Sequence, residues 1–217
     1  MKKDLTELVF ILDKSGSMFE LESDTIGGYN SMLKKQRSLD GKCVITTVLF
    51  DSGCRLLHDR IDIRAVKPIT EEDYQTGGST ALLDAIGRTI HNIGTTQKNT
   101  SDEFRADKVL FVIITDGMEN DSRQYTADQV KAMIERQKEK FGWEFIFLGA
   151  NIDAVETAGT IGISANRAAD YVADSCGIEL NYRMMSEVVA EYRQNDEVSD
   201  EALEAIRRDE KRRSGRR

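Results

Sequence analysis

The chain has 217 residues, of which 40% are hydrophobic and 31% charged, a composition typical of a globular protein with one substantial core. Its formal net charge of -8 argues against general binding to nucleic-acid phosphates, which depends on clustered Lys and Arg. Acidic residues interrupt the apolar run near the N-terminus, and no apolar stretch approaches about 18 residues. These features predict a cytoplasmic protein without a signal peptide or a membrane-spanning segment.

The cysteine and histidine content limits the kind of metal site that the chain can build. Three cysteines, Cys43, Cys54 and Cys176, show no CxxC spacing, and their odd number predicts reduced thiols rather than a disulfide framework. The two histidines, His58 and His91, are too few for a Cys/His zinc site. A metal bound by this chain would therefore be held by oxygen.

The N-terminal segment predicts a strand followed by a helix. The apolar run Leu8–Leu12 ends in Asp13 and indicates a strand that is covered on both faces, as in a parallel sheet. Asp24 is the predicted N-cap of the helix. Its apolar positions recur at helical spacing: Ile26, Tyr29, Met32 and Leu33.

A hairpin and a glycine-rich helix start come next. The strands Cys43–Phe50 and Cys54–Ile61 are separated by a short polar turn, which predicts an antiparallel strand at a sheet edge. The stretch Gly77–Thr80 opens a helix that continues to Ile93. A polar loop is predicted over Thr95–Asp107.

Strands and helices alternate clearly in the second half of the chain. Val109–Thr115 is the strongest strand and is followed by Asp116, whereas Thr126 caps a helix from Ala127 to about Lys140. Another buried strand follows over Glu144–Leu148. The alternation predicts a Rossmann-like, doubly wound α/β fold, with a mostly parallel central sheet, one antiparallel edge strand and helices on both faces.

Beyond Asn151 the pattern is weaker. The predicted elements are a helix over Asp153–Ala158, a strand over Ala169–Ala173, and helices over Tyr182–Tyr192 and Asp200–Arg208. The last helix is polar enough to pack loosely or to project. We divide the chain into a domain over residues 1–180 and a helical extension over residues 181–217, which ends in a basic tail from Arg207.

Oxygen-bearing side chains gather at the predicted carboxyl ends of two strands. The loop after the first strand reads DKSGS, in which Asp13, Ser15 and Ser17 offer one carboxylate and two hydroxyls. Ligands of open α/β sheets bind beyond the carboxyl ends of the strands, where the strand order reverses. Thr80 and Asp116 are expected at the same edge. Such oxygen ligands suit a hard cation, Mg²⁺ or Mn²⁺.

These motifs resemble the metal-ion-dependent adhesion site (MIDAS) of von Willebrand factor type A (vWA) domains. That site combines D-x-S-x-S, a Thr at a Gly-rich helix start and an Asp after an apolar strand. The GGSTALLDAI and TDGMEN stretches are also similar to the family, and the resemblance covers roughly residues 5–165. It implies these metal ligands: Asp13, Ser15, Ser17, Thr80 and Asp116.

The resemblance also implies how such a site works. Ser15 and Ser17 would coordinate the cation directly, Thr80 directly or through water, and Asp13 and Asp116 mostly through waters. The cation then keeps unneutralised charge, and a carboxylate of an acidic partner protein completes its shell. Cytoplasmic proteins of this kind often serve as adaptors beside ATPases, in bacterial stress-response or tellurite-resistance clusters, or in phage-encoded settings. In some members the metal loop changes state together with a C-terminal helix.

Two other functions stay open. A phosphotransferase of the haloacid dehalogenase type also has an Asp after the first strand, but this chain has Ser15 where that motif has its general acid. The chain contains no GxxxxGK[ST] loop for a nucleotide, and neither His58 nor His91 is expected near Ser15 or Ser17. The other alternative is RNA binding through the basic tail. The sequence favours a metal-dependent binding module that is not an enzyme.

Polar residues near the predicted site receive weaker interpretations. Glu119, Asn120 and Asp121 follow the site on its rim, where they either shape the choice of partner or, as we expect, are solvated residues of a polar loop; they are not assigned as ligands. Asp84, one helical turn beyond Thr80, is either a hydrogen-bond acceptor behind the site or a carboxylate on the helix surface.

Overall fold

The structure is a computed structural model that describes residues 4–215. Its strands and helices are, in chain order, β1 (Leu5–Asp13), α1 (Glu22–Arg37), β2 (Lys42–Phe50), β3 (Cys54–Asp62), α2 (Leu82–Asn99), β4 (Lys108–Thr115), α3 (Ala127–Phe141), β5 (Glu144–Gly149), α4 (Ala154–Thr160), β6 (Ala168–Asp170), α5 (Ser175–Asn195) and α6 (Glu204–Ser214). Within residues 4–215, six strands form one sheet in the order β3-β2-β1-β4-β5-β6. All neighbouring strands are parallel except β2 and β3. The predicted α/β fold, mostly parallel with one antiparallel edge strand, is confirmed.

Helices cover both faces of the sheet because each inner strand turns alternate side chains toward two apolar cores. On one face, Phe10 of β1 packs edge-on against Tyr29 of α1, which in turn contacts Tyr182 of α5. On the other face, Phe111 of β4 stacks on Trp143 among residues of α2 and α3. Burial on both faces explains why the inner strands have unbroken apolar sequences.

The strand order reverses between β1 and β4 at the centre of the sheet. The chain leaves β1 to form β2 on one side and later forms β4 on the other. Leu12 pairs with Ile114 in the register of these strands. The loops after Asp13 and Thr115 therefore open into one crevice, as expected for a ligand site in this class of sheet.

Most of the other predicted elements are present within a few residues of their expected limits. The hairpin, β4, β5 and α4 agree with the sequence pattern, and α3 begins with a capping box formed by Thr126 and Gln129. The strand β6 ends at Asp170 instead of Ala173. All three cysteines are free thiols, as predicted.

Helix α1 begins earlier than the sequence suggested. Its first residue is Glu22 and its N-cap position is Leu21, so that Asp24 lies inside the first turn. Asp24 instead accepts a hydrogen bond of 2.6 Å from Ser175. The prediction of Asp24 as the N-cap is wrong because the buried side chain of Leu21 fixes the helix start without a side-chain cap.

Helix α2 extends into the segment that was expected to be a polar loop. Residues 95–99 are helical, and the loop begins only at Thr100. Within this turn, Gln97 is buried and donates a hydrogen bond to Glu7, whose fully buried carboxylate also pairs with Arg60. The loop prediction failed because a hydrogen bond to a distant strand, rather than apolar contacts, buries Gln97.

Helix α5 forms part of the core on one face of the sheet. It extends well beyond the predicted Tyr182–Tyr192 at both ends and packs along α1. Tyr182, Met185 and Val189 are buried in that contact. Residue 180, the predicted end of the main domain, lies within this helix.

Helix α6 begins later than the predicted Asp200–Arg208 and is attached to the body of the protein. Its Ile206 is buried, and Arg207 donates hydrogen bonds of 2.9 Å to the carbonyl groups of Ala165 and Ala168. The helix therefore neither projects nor packs loosely. The last two residues of the basic tail, 216 and 217, lie outside the described residues. No helix in residues 4–215 is long and apolar enough to span a membrane.

Candidate metal centre

The loop that follows β1 is fixed by backbone hydrogen bonds to the end of β2 and to the glycine-rich segment that precedes α2. The amide of Lys14 donates to the carbonyl of Phe50 at 2.8 Å, and the carbonyl of Lys14 accepts from the amide of Gly77 at 2.9 Å. The amide of Gly16 donates to the carbonyl of Gly78 at 3.1 Å. The serines of this loop are thus held in a defined position relative to the glycine-rich start of α2.

Hydrogen bonds connect four of the five predicted site residues. Oδ1 of Asp13 accepts from the amide of Ser15 at 2.7 Å, and Oδ2 accepts from the hydroxyl of Thr115 at 2.6 Å. The hydroxyls of Ser15 and Ser17 lie 3.1 Å apart, and the hydroxyl of Ser17 donates to Oδ1 of Asp116 at 2.6 Å. Residues far apart in the chain therefore form one cluster of oxygen atoms.

The fifth residue, Thr80, lies in the segment just before α2. Its amide donates to Oδ1 of Asn120 at 2.9 Å, and its carbonyl accepts from the amide of Asn120 at 3.0 Å. A Cβ atom on Gly117 would lie 3.3 Å from Oγ of Ser17 and 3.4 Å from Oγ1 of Thr80. Both hydroxyls thus lie beside Gly117, and any side chain there would crowd them.

The two carboxylates of the cluster lie in an unfavourable electrostatic environment. Asp13 and Asp116 are each 1% exposed. Burial raises the pKa of Asp13, and burial together with the charge of Asp13 raises the pKa of Asp116 to about 6. The positively charged side chain of the same loop, that of Lys14, pairs with Asp51 and not with these two carboxylates. Within residues 4–215, Oδ2 of Asp116 is buried and accepts no hydrogen bond.

The residues present fit a hard divalent cation. Serine and threonine hydroxyls and carboxylates are ligands that Mg²⁺ and Mn²⁺ prefer, and a cation would relieve the cost of two buried carboxylates. No group of three or more His, Cys, Asp or Glu side chains suited to a metal occurs in residues 4–215. A cation in this crevice would therefore depend on the neutral hydroxyls as well as the carboxylates.

The loop after β4 is anchored to α2, and sequence reasoning missed this. Oε2 of Glu119 accepts from the amide of Leu83 at 2.9 Å, and Oε1 accepts from the amide of Ser122 at 2.7 Å. Because Asn120 holds Thr80 as described above, the prediction that Glu119 and Asn120 are merely solvated is wrong. Asp121 does pair with the exposed Arg123.

The contacts of Asp84 decide between the two roles considered for it, a hydrogen-bond acceptor behind the site or a carboxylate on the helix surface. Its carboxylate accepts hydrogen bonds from the amides of Arg123, Gln124 and Tyr125 at 3.1, 2.9 and 2.9 Å. Burial tends to raise the pKa of Asp84, but these hydrogen bonds and the charge of Arg88 outweigh burial and lower it. Asp84 is thus an acceptor that holds the loop after β4.

The two histidines lie in other parts of the molecule. His58 is in the edge strand β3, where Nδ1 lies 3.0 Å from the hydroxyl of Thr47. His91 is exposed on α2 and borders a separate cleft with Met133 and Trp143. Neither histidine hydrogen-bonds Ser15 or Ser17 within the described residues.

Comparisons with known proteins relate the fold to one class of domain. No family model matches the chain, and no curated protein matches it. Among solved structures, a von Willebrand factor type A protein from Catenulispora acidiphila is 17% identical with a TM-score of 0.57, over 85% of this chain and 42% of that one. Proximal thread matrix protein 1 (PTMP1) from the mussel byssus is 13% identical with a TM-score of 0.58, over 87% of this chain and 47% of that one.

A further structure of PTMP1 has a zinc-occupied MIDAS motif and is 13% identical with a TM-score of 0.54, over 85% of this chain and 46% of that one. The present chain therefore spans less than half the length of these proteins. Similarity at such low identity establishes the fold alone. The chain has the Rossmann-like α/β fold of vWA domains.

Proposed function

We propose that this chain is a divalent-metal-dependent protein-binding module, which holds Mg²⁺ or Mn²⁺ and binds an acidic side chain of a partner protein. The metal ligands would be Asp13, Ser15, Ser17, Thr80 and Asp116. The observation that carries the proposal is the hydrogen-bonded cluster of Asp13, Ser15, Ser17 and Asp116, with Thr80 beside Gly117, where the strand order of a vWA-like fold reverses. The zinc-occupied MIDAS motif of PTMP1 supports a metal at this place in the fold.

The chemistry of the ligands accounts for the choice of partner group. A bound cation supplies a positive centre that attracts a carboxylate. Because the hydroxyls of Ser15, Ser17 and Thr80 are neutral, a cation bonded to them keeps more of its charge than one bonded only to carboxylates. The hydrogen bonds of Thr115 to Asp13 and of Ser17 to Asp116 hold the two anionic groups in place before the cation binds.

We further propose a cytoplasmic adaptor role beside an ATPase or in a bacterial or phage stress response. The support is the resemblance of the three motifs to those of vWA adaptors. Enzymatic activity is not part of the proposal, because Ser15 stands where a phosphotransferase has its general acid and neither histidine hydrogen-bonds the serines within residues 4–215. We propose no contact with membranes.

The surroundings of the basic tail do not favour RNA binding. Arg207 and Arg208 pair with Glu204, whereas Arg212 and Arg213 pair with Asp209. These contacts reduce the positive charge that the helix offers to phosphate groups. The arginines of the tail are therefore better explained as partners of acidic residues on α6 than as phosphate ligands.

Calorimetric titration of metal-stripped protein with Mg²⁺ and with Mn²⁺ tests the proposal. We expect heat of binding from the wild type and its loss in Asp13→Ala and in the double variant Ser15→Ala/Ser17→Ala. Ser79→Ala is the matched control, because Ser79 adjoins Thr80 but is exposed and its hydroxyl makes no hydrogen bond within residues 4–215. Circular dichroism would establish that each variant is folded. The proposal is wrong if the wild type binds neither cation or if the folded variants bind as the wild type does.

A further inference from the structure

A cleft of about 1040 Å³ opens beside the candidate metal centre and extends to α6. Ser17 and Asp116 border it at the metal centre, whereas Glu210 and Arg213 border it on α6. Its walls come from the loops that follow β5 and β6. A partner that reaches the metal centre would therefore lie against this cleft.

The walls of this cleft are strongly acidic. Apart from Asp116, the carboxylates along it are those of Glu20, Asp153, Asp170, Asp174 and Glu210. The one cationic side chain among the described lining residues is Arg213, which pairs with Asp174. In residues 4–215, the other four carboxylates have no cationic partner within ion-pair distance. Burial raises the pKa of Asp170, and the charges of Asp153 and Glu210 raise it further, as expected where anionic groups repel one another.

The hydrogen bonds of these carboxylates leave room for additional donors. Oδ1 of Asp153 accepts from the amide of Glu156 at 2.8 Å, and Oδ1 of Asp170 accepts from the amide of Ala154 at 2.8 Å. The second oxygen of each carboxylate accepts no hydrogen bond from residues 4–215. Lysine and arginine side chains are donors without acceptors, so they match these free oxygens.

Among the described residues, Tyr171 adds a second polar group without a partner at the border of the cleft. The residue lines the cleft and is 4% exposed, yet its hydroxyl has no hydrogen-bond partner in residues 4–215. Buried hydroxyls in folded proteins are nearly always hydrogen-bonded, to protein, water or a ligand. Its partner is therefore an ordered water or a group of a bound ligand.

We propose that the cleft binds lysine or arginine side chains, so that the partner segment has a metal-coordinating Asp or Glu with basic residues beside it. This inference rests on the proposed function and refines it. A single carboxylate satisfies the cation, whereas additional acidic residues would face four unpaired carboxylates of this chain. Like charges brought together in an interface exclude wrong partners, and opposite charges favour the right one.

Three synthetic peptides of equal length test the charge preference. Each has one central Asp, flanked on both sides by two Lys, two Ser or two Glu residues. Chemical-shift titration of isotopically labelled, Mg²⁺-loaded protein would give each dissociation constant. We expect the Lys-flanked peptide to bind about 10-fold more tightly than the Ser-flanked peptide, and the Glu-flanked peptide to bind most weakly.

A double variant of the cleft identifies the residues responsible. Glu20→Gln/Glu210→Gln removes two of the unpaired carboxylates and changes no proposed metal ligand. It should weaken binding of the Lys-flanked peptide and leave the Ser-flanked peptide and the heat of Mg²⁺ binding unchanged. The matched control is Glu103→Gln/Glu139→Gln, since these exposed carboxylates lie outside the cleft.

The outcomes separate this inference from the metal-binding proposal. Equal affinity for the Lys- and Ser-flanked peptides, or a preference for the Glu-flanked one, overturns the inference, as does a double variant that binds all three like the wild type. A wild type that binds no Mg²⁺ overturns the proposed function. A wild type that binds no Mg²⁺ can still bind the Lys-flanked peptide. If it does, and if the double variant does not bind that peptide, the preference of the cleft for basic residues is supported.

Discussion

The hydroxyl of Thr115 donates a hydrogen bond of 2.6 Å to Oδ2 of Asp13, between the two strands where the sheet order reverses. Because Oδ1 of Asp13 accepts from the amide of Ser15, both carboxylate oxygens are fixed. Thr115 itself is fully buried. It is therefore a positioning residue for the candidate metal centre, although it lies outside the D-x-S-x-S motif.

Replacing Thr115 with Val should weaken metal binding without a large change of shape. Valine nearly matches threonine in volume but cannot donate the hydrogen bond, so Asp13 loses one of its two fixed oxygens. Losing a partner behind a metal ligand typically lowers metal affinity about 10- to 100-fold. Calorimetric titration of the variant with Mg²⁺ measures the change.

The control for this variant is Thr89→Val. Thr89 is also buried, but its hydroxyl donates to the carbonyl of Ala85 within α2. Both variants should lower the free energy of unfolding by about 1 kcal/mol, whereas Mg²⁺ affinity should fall only in Thr115→Val. Equal Mg²⁺ affinity in the two variants would show that Thr115 does not position Asp13.

Metal affinity should depend on pH through Asp116. Burial and the nearby charge of Asp13 raise the pKa of Asp116 to about 6, so protons compete with the cation near neutral pH. We expect Mg²⁺ affinity to be nearly constant above about pH 7 and to decrease about 10-fold per unit below pH 6. Titrations between pH 5 and pH 8 test this, and an affinity that is independent of pH over that range would contradict it.

Asp116 should also make the stability of metal-stripped protein depend on pH. Its contribution to stability decreases as the pH rises, whereas its contribution to Mg²⁺ affinity increases. The folded state binds a proton at Asp116 more tightly than the unfolded chain, because the pKa rises from 3.8 to about 6 on folding. The contribution of Asp116 to the free energy of unfolding is thus greatest below pH 3.8 and decreases as the pH rises to about 6. Urea denaturation gives the free energy of unfolding of wild type and of Asp116→Asn at each pH. The difference between the two should show this decrease, and two parallel pH profiles would refute it.

The sequence contained enough information to predict the centre of the fold and its crevice. Strands β1 and β4 are buried on both faces, so their apolar runs are unbroken and end at the residues preceding polar loops. The rule that ligands bind where strand order reverses then brings Asp13 and Asp116 together. Local patterns sufficed there because burial on both faces leaves a continuous signal in the sequence.

Several features that the sequence did not predict depend on polar contacts between distant residues. Asp84 and Glu119 hold backbone amides that lie 36 to 41 positions away, and Gln97 is buried by Glu7, 90 positions away. Such hydrogen bonds leave no periodic pattern in the sequence, because the same type of polar residue can either bind a distant partner or face solvent. Only the three-dimensional arrangement distinguishes these cases.

Asp84→Asn should destabilise the protein at neutral pH. Asparagine keeps one acceptor oxygen, but its amide group would face the amide of Arg123, which now donates to Oδ2. We expect a loss of about 1 to 3 kcal/mol in the free energy of unfolding, measured with urea. Asp128→Asn is the control, because that exposed carboxylate makes no hydrogen bond within residues 4–215.

The effect of Asp84→Asn should also diminish in acid. Folding lowers the pKa of Asp84, so its stabilising contribution is present above the ordinary value of 3.8 and is lost as the pH falls through the lower folded value. The difference in unfolding free energy between wild type and variant should therefore shrink below about pH 4. A difference that remains constant from pH 7 to pH 3 would argue that packing, rather than charge, makes Asp84 important.

Substitution of two adjacent glycines of α1 distinguishes the effect of helix propensity from the effect of packing against α5. A Cβ atom on Gly28 would lie 2.4 Å from Cδ2 of Tyr182, whereas one on Gly27 would meet nothing within 4 Å. Gly27→Ala should raise the free energy of unfolding by up to about 1 kcal/mol, because alanine favours the helix. Gly28→Ala should lower it by about 1 to 3 kcal/mol, because the buried ring of Tyr182 must move.

Thermal denaturation of this pair also tests whether α5 is integral to the domain. The predicted domain boundary falls at residue 180, whereas α5 packs along α1 across that position. If α5 unfolds together with the sheet, Gly28→Ala should show a single transition at a lower temperature. A separate early transition in Gly28→Ala, absent from Gly27→Ala, would instead identify α5 as an independent extension that can leave the body of the protein.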